Sequence, residues 1–232
     1  MDYFHFERYL NPLLSDSGFH SSLNYMVRPL SNHNKVIEYL NKLNSLPEFV
    51  DQNLNNIRDG LDKGVSQPLV IFEGYESTYD DHITINYLDN YFYSPFKNLP
   101  LDIPDNQLDS INNAAKITIN EVVVPQFKRI KQFFENEYYP KTRTDIGVSS
   151  IPNGKEYYQN RINYFTTSKE YTAEKIHQIG LDEVARIKSE MENIIEELKF
   201  QGSFEDFFEF LRSDDQFYAK TPKELLMFAR DV

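Results

Sequence analysis

The sequence contains no cysteine and no tryptophan, and only eight of its 232 residues are glycine. Without cysteine, these residues provide no disulfide framework, no thiolate zinc site, no cysteine nucleophile and no cysteine for lipid attachment. A chain of this length buries a large core without such cross-links. The scarcity of glycine is typical of helical folds rather than of sheet-rich or loop-rich ones.

The chain also lacks an excess of positive charge. It has 24 lysine and arginine residues against 36 aspartate and glutamate residues, which gives a net charge of −12. The basic residues are spread along the sequence and form no stripe. Because a field of this sign repels phosphate groups, we expect neither nucleic acid nor an anionic membrane surface as a partner.

Long hydrophobic runs are missing as well. No apolar stretch approaches the ~20 residues that a membrane-spanning helix needs. The N-terminal stretch MDYFHFERYLNPLLSDSG contains no basic segment followed by an apolar one, so it shows no signal peptide. The sequence therefore predicts no membrane span and no targeting signal, and it leaves the compartment open, with the cytoplasm as the default.

What the sequence does contain is a succession of helix signals. Residues 1–33 are irregular, whereas residues 34–64 carry two apolar stripes at helical spacing, which predict a helix hairpin. Between the stripes, Ser45-Leu46-Pro47-Glu48 has the pattern of a capping box. Gly60 and Gly64 suit the end of the second helix.

The middle of the chain is less regular. A short apolar run within residues 65–74 is compatible with an extended segment or with the start of a helix. Residues 83–96 favour a helix, and residues 98–105 are predicted to form a loop. Apolar residues at three-to-four spacing in residues 107–138 predict one long helix, which Pro125 should kink or interrupt.

The last third of the chain has the clearest signals. The turn sequence Ile151-Pro152-Asn153-Gly154 precedes a helix over residues 155–164. Thr172, Ser203 and Thr221 are each placed as the N-cap of a following helix, and Thr221 begins a capping box. The helix after Thr172 has one apolar face, formed by Ile176, Ile179, Val184, Ile187, Met191, Ile194 and Leu198.

These signals together predict an all-α fold, an irregular multi-helix array with helix hairpins. Because no linker of low complexity interrupts the chain, we predict a single helical domain over residues 1–232. Within it, residues 1–33 form an irregular N-terminal segment, residues 34–138 a first helical region, and residues 139–232 a second one.

The search for a metal site is negative in the sequence. The five histidines (His5, His20, His33, His82 and His177) never stand four residues apart on one helix, and no HExxH occurs. The densest group of ligand-type residues is Asp80-Asp81-His82. Since adjacent side chains point in different directions, we interpret this group as a solvated acidic loop. There is also no GxSxG motif and no phosphate-binding glycine loop.

Two features are compatible with ligand binding. His177, in the first turn of the helix after Thr172, could face a cleft and donate to a substrate. The favoured alternative is a partly buried imidazole bonded to a carbonyl. Gly154, Tyr157 and Tyr158 could present a helix N-terminus and tyrosine rings to a carboxylate, although a plain turn followed by core aromatics is again favoured.

A longer set of motifs resembles one bacterial family, the "domain of unknown function" numbered eight-eight-five. The resemblance covers most of the chain, and it is strongest after residue 139 and weakest before residue 34. The residues that carry it are Tyr139-Pro140, Arg143, Gly147, Ile151–Tyr158, Thr166-Thr167, Tyr171–Val184, Asp215–Tyr218 and Thr221–Leu226.

The resemblance implies a large, almost wholly helical protein that is often exported or lipid-anchored. Members of the family are similar to zinc metallopeptidases, because a helix of HExxH or HExxxGH type follows the region matched here. This sequence ends before that helix, so the resemblance supplies no zinc ligand and no catalytic glutamate. It implies a structural role instead, as part of a substrate-cleft wall. The candidate substrate-binding residues are Arg143, Gly154, Tyr157, Tyr158 and His177.

Two hypotheses of different classes follow. In the first, the chain is an incomplete portion of a metallopeptidase-like protein and is inactive alone. Its partner is then a missing C-terminal half or a peptide substrate, and zinc is expected only in a full-length relative. This hypothesis predicts an exposed apolar patch. In the second, the chain is a self-contained helical module that binds a peptide or protein through a tyrosine-rich groove. The apolar face that begins at Leu225 and stops after about two turns favours the first.

Overall fold

The computed structural model describes residues 10–13 and 17–230 and confirms the predicted all-α fold. Within these ranges there is no β-strand, and β-type pairing is limited to two isolated bridges, Leu13 with Gly18 and Pro68 with Arg143. Short 3-10 and π-helical turns join the main elements. The α-helices of the described residues are α1 (His33–Asn44), α2 (Leu46–Asp62), α3 (Ser77–Asp80), α4 (Asp105–Thr118), α5 (Val124–Phe133), α6 (Gly154–Thr166), α7 (Ala173–Glu197), α8 (Phe204–Ser213) and α9 (Pro222–Phe228).

The chain divides into two compact units at the boundary between Arg161 and Ile162. This boundary lies inside α6, so one continuous helix contributes residues to both units. The single domain predicted for residues 1–232 stays a prediction.

The first unit contains a large hydrophobic core. The apolar stripes predicted for residues 34–64 lie on α1 and α2, which are separated only by Ser45. Tyr39 of α1 donates its hydroxyl to the Phe92 carbonyl at 2.9 Å, so the polar tip of this buried ring is satisfied. The largest fully buried side chains are Tyr79, Tyr138, Phe92, Phe127, Phe133, Phe134, Leu10, Leu13, Leu43, Leu46, Leu54 and Ile57.

The structure corrects the predictions made for both ends of α2. Ser45 makes no side-chain cap on α2, because its backbone is helical (φ −86°, ψ −3°) rather than extended as an N-cap requires, and its hydroxyl donates to the Lys42 carbonyl of α1 at 2.8 Å. The predicted capping box is therefore wrong. Gly60 lies inside α2 rather than at its end. Glycine is needed there because a Cβ would come within 2.2 Å of the Leu10 carbonyl oxygen. Gly64 does follow the helix end, with φ of +74°.

The long helix predicted for residues 107–138 is present but divided. α4 passes into a π-helical turn at Ile119–Val123, and α5 passes into a second one at Phe134–Tyr138. In the first turn the Val124 N–H donates to the Ile119 carbonyl, five residues back. This turn lies directly before Pro125, which has no N–H to donate. The wider turn thus accommodates the proline without ending the helical run.

The helix predicted for residues 83–96 is wrong. Two short 3-10 helices, Tyr87–Asp89 and Tyr91–Lys97, occupy this stretch instead. The Asn86 and Asn90 side chains each accept from an N–H two residues ahead, which favours turns over a continuous α-helix. The alternative left open for residues 65–74 resolves as a 3-10 helix at Leu69–Phe72.

The predicted N-caps of the second unit are confirmed. The Thr172 hydroxyl accepts from the Lys175 N–H at 3.2 Å. Ser203 and Thr221 each form a complete capping box with an acidic residue three positions later. These helix starts were predictable because capping involves only neighbours in sequence.

The second unit has almost no core of its own. Among its described residues only Ile162 is buried. Its best-packed part is a small group of phenylalanine rings where α7 ends and α8 begins. Phe210 lies 5.4 Å from Phe200 and 5.3 Å from Phe217, measured between ring centroids. A folded unit this poor in burial has little stability of its own.

Candidate functional site

Arg143 organises the loop that precedes α6. Its Nε donates to the Ser66 carbonyl at 3.0 Å, and its Nη1 donates to the Gly147 carbonyl at 2.9 Å and to the Ser150 hydroxyl at 3.0 Å. Nη1 also donates to the Asp145 carbonyl. Burial lowers the pKa of this guanidinium. The side chain therefore clamps residues 145–150 onto the backbone at Ser66.

Gly154 fits under the same loop. A Cβ at this position would come within 1.9 Å of the Val148 carbonyl oxygen, so only glycine allows this approach. The preceding Asn153 has φ of 56°, as expected for the Asn-Gly turn. The Gly154 N–H already donates to the Ile151 carbonyl at 2.9 Å. Arg143 and Gly154 thus lie on the same loop, which they hold in place.

The other candidate residues are more exposed. Tyr157 is partly buried, and the guanidinium of Arg161 lies 5.7 Å from its ring centroid. Tyr158 is 47% exposed, so the core position favoured for this ring is wrong. His177 is exposed on α7 in the second unit, and the prediction of a partly buried imidazole is also wrong.

A buried histidine that the sequence did not single out lies in the core of the first unit. His20 is fully buried, and its Nε2 lies 2.8 Å from the Thr78 hydroxyl. Because that hydroxyl donates to the Tyr75 carbonyl at 2.7 Å, Nε2–H must be the donor to it. Nδ1 is then an acceptor, and it has no hydrogen-bond partner among the residues described.

The surroundings of His20 keep its imidazole neutral. Its ring centroid lies 5.8 Å from that of Tyr75, 6.4 Å from that of Tyr79 and 5.6 Å from that of Phe134. Burial, and to a lesser extent the imidazole of His82, lower the pKa of His20 from 6.5 to about 3. No periodic signal could have revealed this cage, since its rings come from distant parts of the chain.

His82 is the second buried histidine of this unit. Its ring centroid lies 4.5 Å from that of Phe127, and burial lowers its pKa. Asp80 is held by Lys131 at 2.9 Å, and Asp81 is exposed. The interpretation of Asp80-Asp81-His82 as a solvated loop is therefore wrong for His82. Across residues 10–13 and 17–230, no three histidine, aspartate or glutamate side chains are placed to hold one metal ion.

The second unit exposes a continuous apolar surface on α7. We call it the α7 stripe and define it as Val184, Ile187, Met191, Ile194 and Leu198. Val184 is 67% exposed, Ile187 45%, Ile194 52% and Leu198 62%. On α9, Leu225 and Leu226 are more than 60% exposed as well. Large apolar side chains are rarely exposed together on a protein surface unless that surface binds another molecule or another part of the protein.

None of the helices in the described ranges combines the length and the apolar character that are needed to cross a bilayer. The exposed apolar side chains on α7 alternate with charged ones, including Glu183, Arg186 and Glu190. This surface is therefore amphipathic along the helix.

Comparison with known proteins relates this chain to a solved structure of similar fold and to a bacterial protein family. A solved structure described as a "putative lipoprotein" from Colwellia psychrerythraea superimposes with a TM-score of 0.69 at 20% sequence identity, over 89% of this chain and 36% of that chain. At this identity the match shows a shared fold alone, and the chain spans little more than a third of that protein. No curated protein matches the sequence. The family described as bacterial protein of unknown function, DUF885, matches residues 5–232. The chain belongs to this family.

Proposed function

We propose that this chain supplies the helical scaffold, and part of the substrate-cleft wall, of a longer zinc metallopeptidase-like protein, and that it is not catalytic alone. The observation that carries this proposal is the second unit, whose α7 stripe and α9 leave large apolar side chains in water. When one part of a larger helical protein is taken alone, the apolar face that packs against the rest is left exposed. The fold match over 36% of a longer chain supports the same view.

The proposed wall consists of the loop around Arg143 and the start of α6. Arg143 and Gly154 fix the loop and the first turn of the helix, so they act as positioning residues. Tyr158, which is 47% exposed, has a ring available to a peptide or to another part of the protein. In a full-length relative, zinc would polarise the scissile carbonyl and activate water, with ligands that lie outside this sequence.

The proposal is tested by zinc retention. The chain is loaded with excess zinc, dialysed into zinc-free buffer and analysed by atomic absorption, and a longer family member with a His-Glu helix is treated alongside it. We expect well under one zinc per chain here and one in the longer protein. One tightly held zinc in this chain, together with hydrolysis of a peptide, would show that the chain is catalytic alone.

A second measurement separates the scaffold from a self-contained binding module. The scaffold is expected to bind a hydrophobic dye and to unfold in two steps, because the second unit has little core. A single cooperative transition without dye binding would instead favour a closed module that binds peptides by itself.

A further inference from the structure

The α7 stripe has the spacing of a coiled-coil seam. Its five residues follow one another at intervals of three, four, three and four. An apolar repeat of this kind averages 3.5 residues and presents one continuous seam to a partner helix. At a rise of about 1.5 Å per residue, the seam is about 21 Å long, which is enough for two heptads of contact. The geometry therefore suits a helix as the occupant.

One edge of the seam is acidic. Glu183, Glu190 and Glu197 recur every seven residues, so they lie along the same side of the α7 stripe. Arg186 pairs with the first two at 2.7 Å each, and the edge remains net negative. Charges that flank a seam select the partner and its orientation. A partner helix with lysine or arginine on the facing edge would be attracted to this side.

A second copy of the chain in antiparallel orientation is a poorer occupant. An antiparallel pair of copies would place the two glutamate rows against each other, and like charges across a seam are destabilising. The net charge of −12 on each chain adds to this repulsion. A longer protein of this fold is a better source of the partner helix. The match covers 36% of the solved relative, so the other 64% of that relative (100 minus 36) lies outside the matched region.

We infer that the α7 stripe docks an amphipathic helix with a lysine- or arginine-bearing edge, supplied by the remainder of a longer protein. This inference rests on the proposed function, and it names the partner chemistry of the same scaffold. The docked helix buries the α7 stripe and pairs its basic edge with the glutamate row.

The test uses the full 232-residue chain and two synthetic helical peptides of 21 residues as probes. Both peptides carry leucine at the seam positions, and the flanking positions are lysine in one and glutamate in the other. Binding is followed by fluorescence anisotropy. We expect the lysine peptide to bind saturably, and the glutamate peptide to bind at least tenfold more weakly.

Matched variants locate the contact on α7. Ile187→Asp should weaken the lysine peptide at least tenfold, and Ile194→Asp should do the same. Ser189→Asp adds the same charge on the opposite face of α7 and should change the affinity less than twofold. Circular dichroism checks that all three variants keep the helical content, which is expected because Ile187 and Ile194 are about half exposed.

Three results would overturn the inference. Equal binding of the two peptides would remove the role of the glutamate row. An equal loss from Ser189→Asp and Ile187→Asp would remove the α7 stripe as the contact. Self-association of the chain that Ile187→Asp abolishes would make a second copy the occupant. None of these readouts involves zinc, so a failure here is distinguishable from a failure of the proposed function.

Discussion

The buried His20 should make the first unit sensitive to acid. In the unfolded chain its imidazole titrates near 6.5, whereas in the folded chain burial lowers the pKa of His20 to about 3. Between these two pH values the unfolded chain binds a proton that the folded chain does not. The contribution of His20 to the free energy of unfolding is therefore fully retained only well above pH 6.5, and it falls as the pH drops towards 3.

The magnitude follows from the size of this shift. One pKa unit corresponds to about 1.4 kcal/mol, and the unfolded imidazole is already half protonated at pH 6.5, so lowering the pH from 6.5 to 4.5 should remove about 2 kcal/mol through His20 alone. That is a large part of the ~5–15 kcal/mol by which a domain is usually stable. His82, whose pKa is also lowered by burial, adds to the loss in the same direction.

Urea unfolding followed by tyrosine fluorescence measures this effect, because the chain has 16 tyrosines and no tryptophan. The comparison is between the wild type and His20→Phe, which keeps a ring in the aromatic cage but cannot titrate. The carboxylates titrate in both proteins, so the difference between them isolates His20. We expect the wild type to lose about 2 kcal/mol more than the variant between pH 6.5 and 4.5. Identical pH dependence in the two proteins would refute the reasoning.

Three smaller predictions concern local structure. Gly154→Ala should cost about 1–3 kcal/mol, because its Cβ meets the Val148 carbonyl, and urea unfolding measures the loss. Gly180→Ala, where the Cβ meets nothing within 4 Å, should instead raise the helical content by stabilising α7 by about 0.5–1 kcal/mol; a fall in ellipticity would contradict this. Thr221→Ala should destabilise α9 by about 1 kcal/mol, because the Glu224 N–H loses its acceptor, and faster exchange of this amide measured by NMR would show it. Thr221→Ser keeps the hydroxyl and should leave the exchange of this amide unchanged.

The features that the sequence predicted correctly are those that neighbouring residues determine. Thr172 and Thr221 cap their helices because the N–H that each hydroxyl meets lies three residues away. The apolar face of α7 is equally visible, since its spacing needs no knowledge of the fold. The all-α class followed from the sum of such local signals.

The errors have a different origin, in contacts between distant residues or in competition between neighbours. The pattern at Ser45 predicts a cap on α2, but α1 and α2 follow each other so closely that the Ser45 backbone stays helical, and its hydroxyl donates to the Lys42 carbonyl. The sequence pattern places Gly60 at a helix end, yet glycine is required there by the Leu10 carbonyl, fifty residues earlier. The sequence carries no signal for the burial of His20, because its cage exists only after Tyr75, Tyr79 and Phe134 have packed around it.

The candidate cleft residues show the same division. The turn before Gly154 was predictable from Pro-Asn-Gly chemistry. The contact of Gly154 with Val148 and the clamp that Arg143 makes on the backbone were not, because carbonyl acceptors carry no signature in the sequence. Their assignment to a substrate cleft stays a prediction.

The central claim is that a partner helix covers the α7 stripe of this scaffold. Hydrogen exchange of the intact chain, read by mass spectrometry with and without the lysine-edged peptide, tests this claim most directly. In the chain alone, amides of α7 should exchange roughly a hundredfold faster than those of α5, and they should slow when the peptide is bound. Amides of α7 that are already as protected as those of α5, and unchanged by the peptide, would contradict it.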